Sequence, residues 1–432
     1  MLEHVTSWGR LGVHDHVVVE PHFLDRVQAA LLERGPILGF GLGRSYGDVC
    51  LNSGGRLLRT RALDRLINAD WTTGIVRAEA GLTFDELLRL TVPKGWFLPV
   101  VPGTKFVTLG GAVANDVHGK NHETAGTFGC HVRRLGLSRS SGEVVELAPN
   151  QNSEFFAATI GGLGLTGIIL WVEVALVRIG SAYVDVETLE LADLDGFFRL
   201  AEQSQDWEFT VAWVDCLAKG AAIGRGLFTR AKWHKSGGLE PHRRPRLGMP
   251  FDAPPWLLTS ATLRLFNQAY RARPWALGRR TIHYDPFFFP LDAVAGWNRF
   301  YGPRGFFQHQ CVVPTSSAPD AMRRLLDLTA SFGQGSFLTV LKMFGDRPSP
   351  GVLSFPRLGA TLALDLPNGG ESTRRLLDAL TIVVMDNGGR LYPAKDATMS
   401  AKAFRSGYPE WQKVETLRDP NIMSDFWRRV AA

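Results

Sequence analysis

Cysteine is scarce in this chain, and the four present, Cys50, Cys130, Cys216 and Cys311, lie far apart with no CxxC pair and no metal-ligand spacing. That pattern excludes a zinc ribbon and a disulfide framework, and predicts reduced thiols that pack as small hydrophobes. No stretch approaches the roughly 20 apolar residues of a membrane span, and no charged n-region followed by an apolar run opens the sequence. We therefore expect a cytoplasmic protein with at most peripheral membrane contact. Charge of one sign is not in large excess: 48 Lys and Arg against 42 Asp and Glu leave +6. That balance suits an anionic ligand or an acidic surface but makes no case for nucleic acid. Repeats and low-complexity tracts are absent. The glycine turn in ILGFGLGRSYGD is neither GxGxxG nor GxxxxGK[ST], and no helix follows it directly, so a Rossmann or P-loop reading fails there.

What the chain does have is length and glycine. Its 432 residues exceed the usual reach of one hydrophobic core, so two domains are expected, and 45% apolar with 21% charged residues is ordinary for a globular protein. The organising stretch is Pro102 to His122, PGTKFVTLGGAVANDVHGKNH. Its glycines let backbone approach a ligand and offer unobstructed N–H groups, and the polar cluster that follows presents His118 and Lys120. Taken alone, the glycines fit an ordinary tight turn equally well. Upstream, ILGFGLGRSYGD reads as a strand running into a glycine loop.

The remaining pattern is α+β. Short strands are expected around Val17–Val19, GGRLLRT and GIVRAEAG, then a helix with Thr83 as N-cap, a hairpin in AGTFGCHVRRLGLSRSSGEVVELAP, and a β-prone strand from Ile168 to Val177. Beyond Ser181, alternation in YVDVETLEL, FTVAWVDCL, GFFQHQCVVP, FLTVLKMFG and ATLALDLP predicts an antiparallel sheet covered by helices. We place a first domain at 1–178, with 390–432 returning to it, and a second at 179–389. Between about Lys232 and Pro290 periodicity is lost, and Pro, Arg and aromatics accumulate. We expect this segment to be partly mobile and to lie at the mouth of the site, with Arg243, Arg244, Arg246, Trp256, Trp275 and Phe287 to Phe289 offering charge and apolar contact.

Taken together, GLGRSYGD, the Pro102–His122 stretch, GGLGLTGI and RLYPAKD resemble the vanillyl-alcohol-oxidase type of FAD-dependent oxidoreductases, and within it the decaprenylphosphoryl-β-D-ribose 2′-oxidase group. The resemblance runs along most of the chain and weakens between Lys232 and Pro290. It implies an FAD-binding domain of that type plus a substrate domain. It also implies cofactor contacts from Gly41, Leu42, Gly43, Arg44, Ser45, Tyr46, Pro102, Gly103, Thr104, Gly110, Gly111, Ala114, Asn115, Val117, His118, Gly119, Gly164, Gly167, Ile168, Tyr392 and Ala394. Many relatives carry a flavin-linking histidine where Arg44 stands, so the resemblance implies non-covalent FAD.

On the substrate side, the group's flavin-proximal residues match His118, Lys120, Gln308, Gln310, Lys342 and Lys395. The resemblance implies that His118 and Lys395 are catalytic, one as base and the other as orienting group in either order, and that Lys120, Gln308, Gln310 and Lys342 bind substrate. Lys395 is the candidate for stabilising negative charge on reduced flavin. The group's cysteine attacked by covalent nitroaromatic inhibitors corresponds to Ala363, and a neighbouring asparagine to Thr361. The implied reaction is oxidation of a secondary hydroxyl of a polyprenyl-phosphate-linked sugar to a ketone, the first half of an epimerisation completed by a short-chain dehydrogenase/reductase partner. The rival readings are a soluble alditol or aldonolactone oxidase using oxygen, and a flavin- or lipid-binding protein with a decayed centre. No metal is implied.

Overall fold

The computed structural model describes residues 2–243, 247–273 and 277–431. Arg244, Arg246 and Trp275 lie outside the described residues, as does the side chain of Trp256.

The chain opens on a four-stranded sheet in the order Leu2–Val5, His14–Val19, Arg56–Arg59, Ile37–Phe40, antiparallel at its first pair and parallel thereafter. A five-stranded antiparallel sheet follows, ordered Leu66–Asp70, Ile75–Glu79, Ile168–Ala175, Val132–Ser138, Val144–Leu147. Between its strands sits the helix Phe84–Thr91, started by a capping box: Glu86 N–H donates to Thr83 Oγ1 at 3.2 Å, and Thr83 N–H to Glu86 Oε2 at 3.0 Å.

The second half builds one eight-stranded antiparallel sheet, ordered Gly278–His283, Tyr183–Leu191, Gly226–Trp233, Phe209–Val214, Val340–Phe344, Gly359–Pro367, Phe306–Val313, Arg390–Leu391. Alternation on these strands buries one face under the amphipathic helices Ala318–Ser331 and Glu371–Asp386, which contribute Leu325, Leu326, Leu376 and Leu380 to the largest core. That core continues into the four-stranded sheet and the C-terminal helices. Ile37 N–H donates to Asn421 O at 2.8 Å, and Arg429 pairs with Asp48 at 2.7 Å, so the tail closes against the first strands. A second core lies behind the five-stranded sheet and draws in Phe209, Phe287 and Phe288 from the second half. All four cysteines are free.

The stretch expected to lack periodicity carries regular structure, which corrects that reading. Ser260–Arg271 is a helix capped by Thr259, and Gly278–His283 extends the edge of the eight-stranded sheet. Both escaped notice for a physical reason. The helix points Leu265 and Phe266 to solvent, and the edge strand GRRTIH is exposed along most of its length, so neither shows a clean apolar stripe. The segment is also pinned from within. His242 is buried, with Nε2 2.7 Å from Asp85 Oδ1 and Nδ1 2.6 Å from the Tyr284 hydroxyl.

Candidate active site

The two glycine-rich segments meet along one cavity of about 520 Å³. The first loop is held by backbone bonds at both sides: Tyr46 N–H donates to Ala394 O at 3.0 Å, and Trp8 N–H to Ser45 O at 2.8 Å. Gly47 has no alternative, since an added Cβ would lie 1.7 Å from the Asp396 carbonyl oxygen. GLGRSYGD and YPAKD, far apart in sequence, are thus in backbone contact. Among the described residues, the N–H groups of Gly41 to Ser45 donate to no protein acceptor. An added Cβ at Gly103 or Gly164 would meet nothing within 4 Å. Bare donors beside open, side-chain-free backbone are what a diphosphate requires. Arg44 Nε and Asn115 Oδ1 are buried on the same wall without a protein partner, an arrangement that a large polar cofactor relieves. Arg44 also stacks over Trp8 at 4.0 Å, which fixes the guanidinium at the cavity edge.

The cavity brings together every residue singled out from the sequence as a site candidate. Gly41, Leu42, Gly43, Arg44, Ser45 and Tyr46 line it from the first loop, and Pro102, Gly103, Thr104, Gly110, Gly111, Ala114, Asn115, Val117, His118, Gly119 and Lys120 from the second. Gly164, Gly167 and Ile168 close one side, while Gln308, Gln310, Lys342, Tyr392, Ala394 and Lys395 close the other. Thr361 and Ala363 also face the space. Strand alternation sends Cys311 the other way, into the large core, where burial pushes its thiol up to about 12.

His118 sits deep in this wall. Its ring is boxed by Phe344, Phe355 and Tyr392 at centroid distances of 4.9, 5.7 and 5.4 Å. Its Nε2 lies 2.9 Å from Gln310 Nε2. Burial, then the positive charge of Lys342, holds the imidazole well below its ordinary pKa, so it is neutral at physiological pH. Burial likewise lowers Lys120 to about 7 and Lys342 to about 8. Lys120 Nζ donates to Phe288 O, and Lys342 Nζ to Gly119 O, each at 3.1 Å. Lys395, lowered by burial and held up in part by Asp365, has its Nζ 3.8 Å from the Tyr46 ring centroid. The cavity therefore concentrates cationic groups that repel one another and are starved of water, a setting that favours an anion.

Sequence reading passed over several residues. Asp365 lines the cavity, accepts from Gln308 Nε2, and is raised by burial. Alternation along ATLALDLP places it on the face of Thr361 and Ala363, so the signal was present. Asp116 acts from behind: its buried carboxylate accepts from Gly129 N–H at 2.8 Å and from the hydroxyls of Ser349 and Ser354. Those bonds clamp the loop that ends in Phe355 against the His118 segment. Arg243 does not reach the cavity wall; Tyr270, Arg273 and Arg280 do, which corrects the placement of charge expected at the mouth.

A glycine-lined diphosphate cradle opening onto buried lysines, a neutral histidine and paired glutamines defines a flavin-dependent oxidoreductase. Residues 16–148 match the FAD binding domain family. The chain is 34% identical to decaprenylphosphoryl-beta-D-ribose oxidase from Mycolicibacterium smegmatis over 98% of this chain and 96% of that protein. An uncharacterized protein in the mprA 5′ region of Streptomyces coelicolor is 32% identical over 81% of this chain and its own full length. A putative D-arabinono-1,4-lactone oxidase from Neurospora crassa is 24% identical over 38% of this chain and 30% of its own. This chain belongs to the vanillyl-alcohol-oxidase type of FAD-dependent oxidoreductases, in the decaprenylphosphoryl-β-D-ribose oxidase family, and uses FAD.

Proposed function

We propose that the protein oxidises a secondary hydroxyl of a polyprenyl-phosphate-linked sugar to a ketone, the first half of an epimerisation that a short-chain dehydrogenase/reductase partner completes. The observation that carries this reading is the set of buried lysines, Lys120, Lys342 and Lys395, that line the cavity beside the glycine cradle. The similarity along nearly the whole of decaprenylphosphoryl-beta-D-ribose oxidase supports it, whereas likeness to the lactone oxidase stops at 38% of the chain. In this reading residues 1–178 with 390–432 hold FAD, and 179–389 present the substrate.

When bound, FAD supplies acceptance of the hydride leaving the carbinol carbon. The chain's own residues do the rest. Neutral His118 takes the hydroxyl proton at Nδ1 as the carbonyl forms, the Gln310 amide being turned so that its oxygen accepts from Nε2–H and fixes the ring. Lys395 is the charge that stabilises the anionic product of hydride transfer, and Lys120 and Lys342 orient the sugar. Gly41 to Ser45 and Gly103 hold the diphosphate by backbone. With Arg44 at the usual linkage position FAD is held non-covalently, and acid denaturation should release all of it; flavin remaining on the denatured chain would overturn that point. The reaction is tested by mixing oxidised enzyme anaerobically with a polyprenyl-phosphate ribose and following loss of flavin absorbance and appearance of ketone. Turnover of simple polyols with peroxide release, and none of the lipid-linked sugar, would assign the protein to alditol oxidation instead.

A further inference from the structure

The catalytic candidates occupy one end of a longer floor. Residues directly opposite one another on neighbouring strands share a face, and the register carries the face of Gln310 and Ala363 through Val340 to Trp213 and Leu227. Two residues along the same strands, Val211 stands opposite Thr229 and Thr229 opposite Thr188. Val186 opposite Arg280 closes the row at the sheet edge. All of these residues line the same cavity. Three strand spacings, about 14 Å, separate the strand Val340–Phe344 from the strand Tyr183–Leu191. The cavity thus has an arm longer than a sugar ring.

Chemistry changes along that floor. The inner end presents Gln308, Gln310, Asp365 and Lys342, whereas the arm is floored by Val186, Val211, Leu227 and Trp213 with two threonines. The hydroxyls of Thr188 and Thr229 pair with each other at 3.3 Å, and the Trp213 indole N–H donates to Phe337 O at 3.0 Å. A polar ligand would give up its water there with nothing in return. The roof is aromatic. Tyr270 packs 4.5 Å from Trp213 between ring centroids, with Arg273 3.5 Å over the tyrosine, and Phe287 and Phe288 line the side. Lys120 stands where the polar end passes into the arm, its Nζ 5.1 Å from the Phe287 ring centroid and donating to Phe288 O. Among the described residues Asp365 is the one acidic side chain on the cavity wall, and it belongs to the inner end. A cationic head site continuous with a tail groove that offers no polar partner selects an anion carrying an apolar chain.

We propose that this arm holds the polyprenyl chain of the substrate, laid across the strands from Val340 toward Arg280, with its phosphate beside Lys120 and Lys342. The placement rests on the reading of a lipid-linked sugar and adds where the chain lies. Oxidised, FAD-loaded protein is titrated calorimetrically with methyl, geranyl and farnesyl phosphate, beside Thr229→Val, Thr229→Trp and Val211→Phe. Both positions lie in the arm, away from the cofactor and catalytic residues, so FAD content serves as the control for folding. Wild-type affinity should rise about tenfold or more with each prenyl unit added, and Thr229→Val should keep that series. Thr229→Trp and Val211→Phe plug the arm from neighbouring strands and should bind farnesyl phosphate no more tightly than methyl phosphate; one suffices if the other loses FAD. Equal binding of the three phosphates by wild type, or an unchanged series in a flavin-loaded plugged variant, overturns the proposal. A chain-length series seen with prenylated quinones and not with prenyl phosphates would give the arm to an electron acceptor and likewise overturn it. Wild type that shows the phosphate series, yet keeps its flavin oxidised when mixed anaerobically with a polyprenyl-phosphate ribose, would sink the substrate reading while the arm stands as a prenyl-phosphate site.

Discussion

Lys395 joins the two halves of the site, since its ammonium lies over Tyr46 of the first glycine loop while the carboxyl of Asp365 in the eight-stranded sheet favours its charge. Lys395→Met should leave FAD bound and slow anaerobic flavin reduction roughly 100-fold, about 3 kcal/mol, because a fixed charge of this kind acts on the step in which negative charge develops. Reduction at the wild-type rate in stopped flow would remove Lys395 from the mechanism. Ala363 carries a second residue-scale prediction. No thiol faces the cavity at that position, and Cys311 points into the core with its pKa pushed up to about 12. Covalent nitroaromatic inhibitors that attack the family cysteine should therefore leave the intact mass unchanged, while Ala363→Cys should gain one adduct. An adduct on wild-type Cys311 would show that strand to be turned the other way.

Among the elements, the loop between Val340–Phe344 and Gly359–Pro367 is tied down at two of its serines by one side chain. Asp116, itself at φ +40°, reaches across to the hydroxyls of Ser349 and Ser354 and to the Gly129 N–H. Removing the carboxylate leaves those donors unpaired in a buried place. Asp116→Ala should cost about 3 kcal/mol and release Phe355 from the His118 ring, lowering both the melting temperature and FAD affinity. Unaltered FAD affinity in a variant with a lowered melting temperature would show the clamp to be structural only. The segment after Lys232 illustrates how an element hides: its edge strand is built from GRRTIH, and its helix buries only Leu263 and Asn267. The Asp85–His242–Tyr284 contacts that tie this segment to the helix Phe84–Thr91 have no signature in local sequence.

The whole molecule keeps lysines in a dry cavity, and that has a pH signature. Lys120 is lowered to about 7 and Lys342 to about 8 when folded, against an ordinary lysine value of 10.5. Between those folded and unfolded values the unfolded chain binds more protons, so stability rises with pH there. The FAD-free protein should gain on the order of 2 kcal/mol from Lys120 alone between pH 7 and 9. An anionic ligand restores the protons, so it should bind more weakly as pH rises through 7 to 8, taking up protons on binding. Denaturant titrations of the flavin-free chain and calorimetry in buffers of different ionisation heat read both effects. A stability curve flat from pH 7 to 9 would mean that water reaches these lysines.

Sequence by itself determined the class of the protein. The glycine loops, VHGKNH and YPAKD are local strings whose chemistry depends on backbone freedom and residue type, and strand alternation in 306–313 already sorted cavity-facing Gln308 and Gln310 from core-facing Cys311. Tertiary structure decided what depends on distance across the chain. It set Gly47 against Asp396 and clamped Asp116 to Ser354. It stripped water from Lys120, Lys342 and Lys395, and chose Arg273 and Arg280 over Arg243 for the cavity wall. A pKa or a cavity wall is a property of what surrounds a side chain, and those surroundings come from residues remote in sequence, whereas a glycine turn or a strand's alternation is written in neighbours.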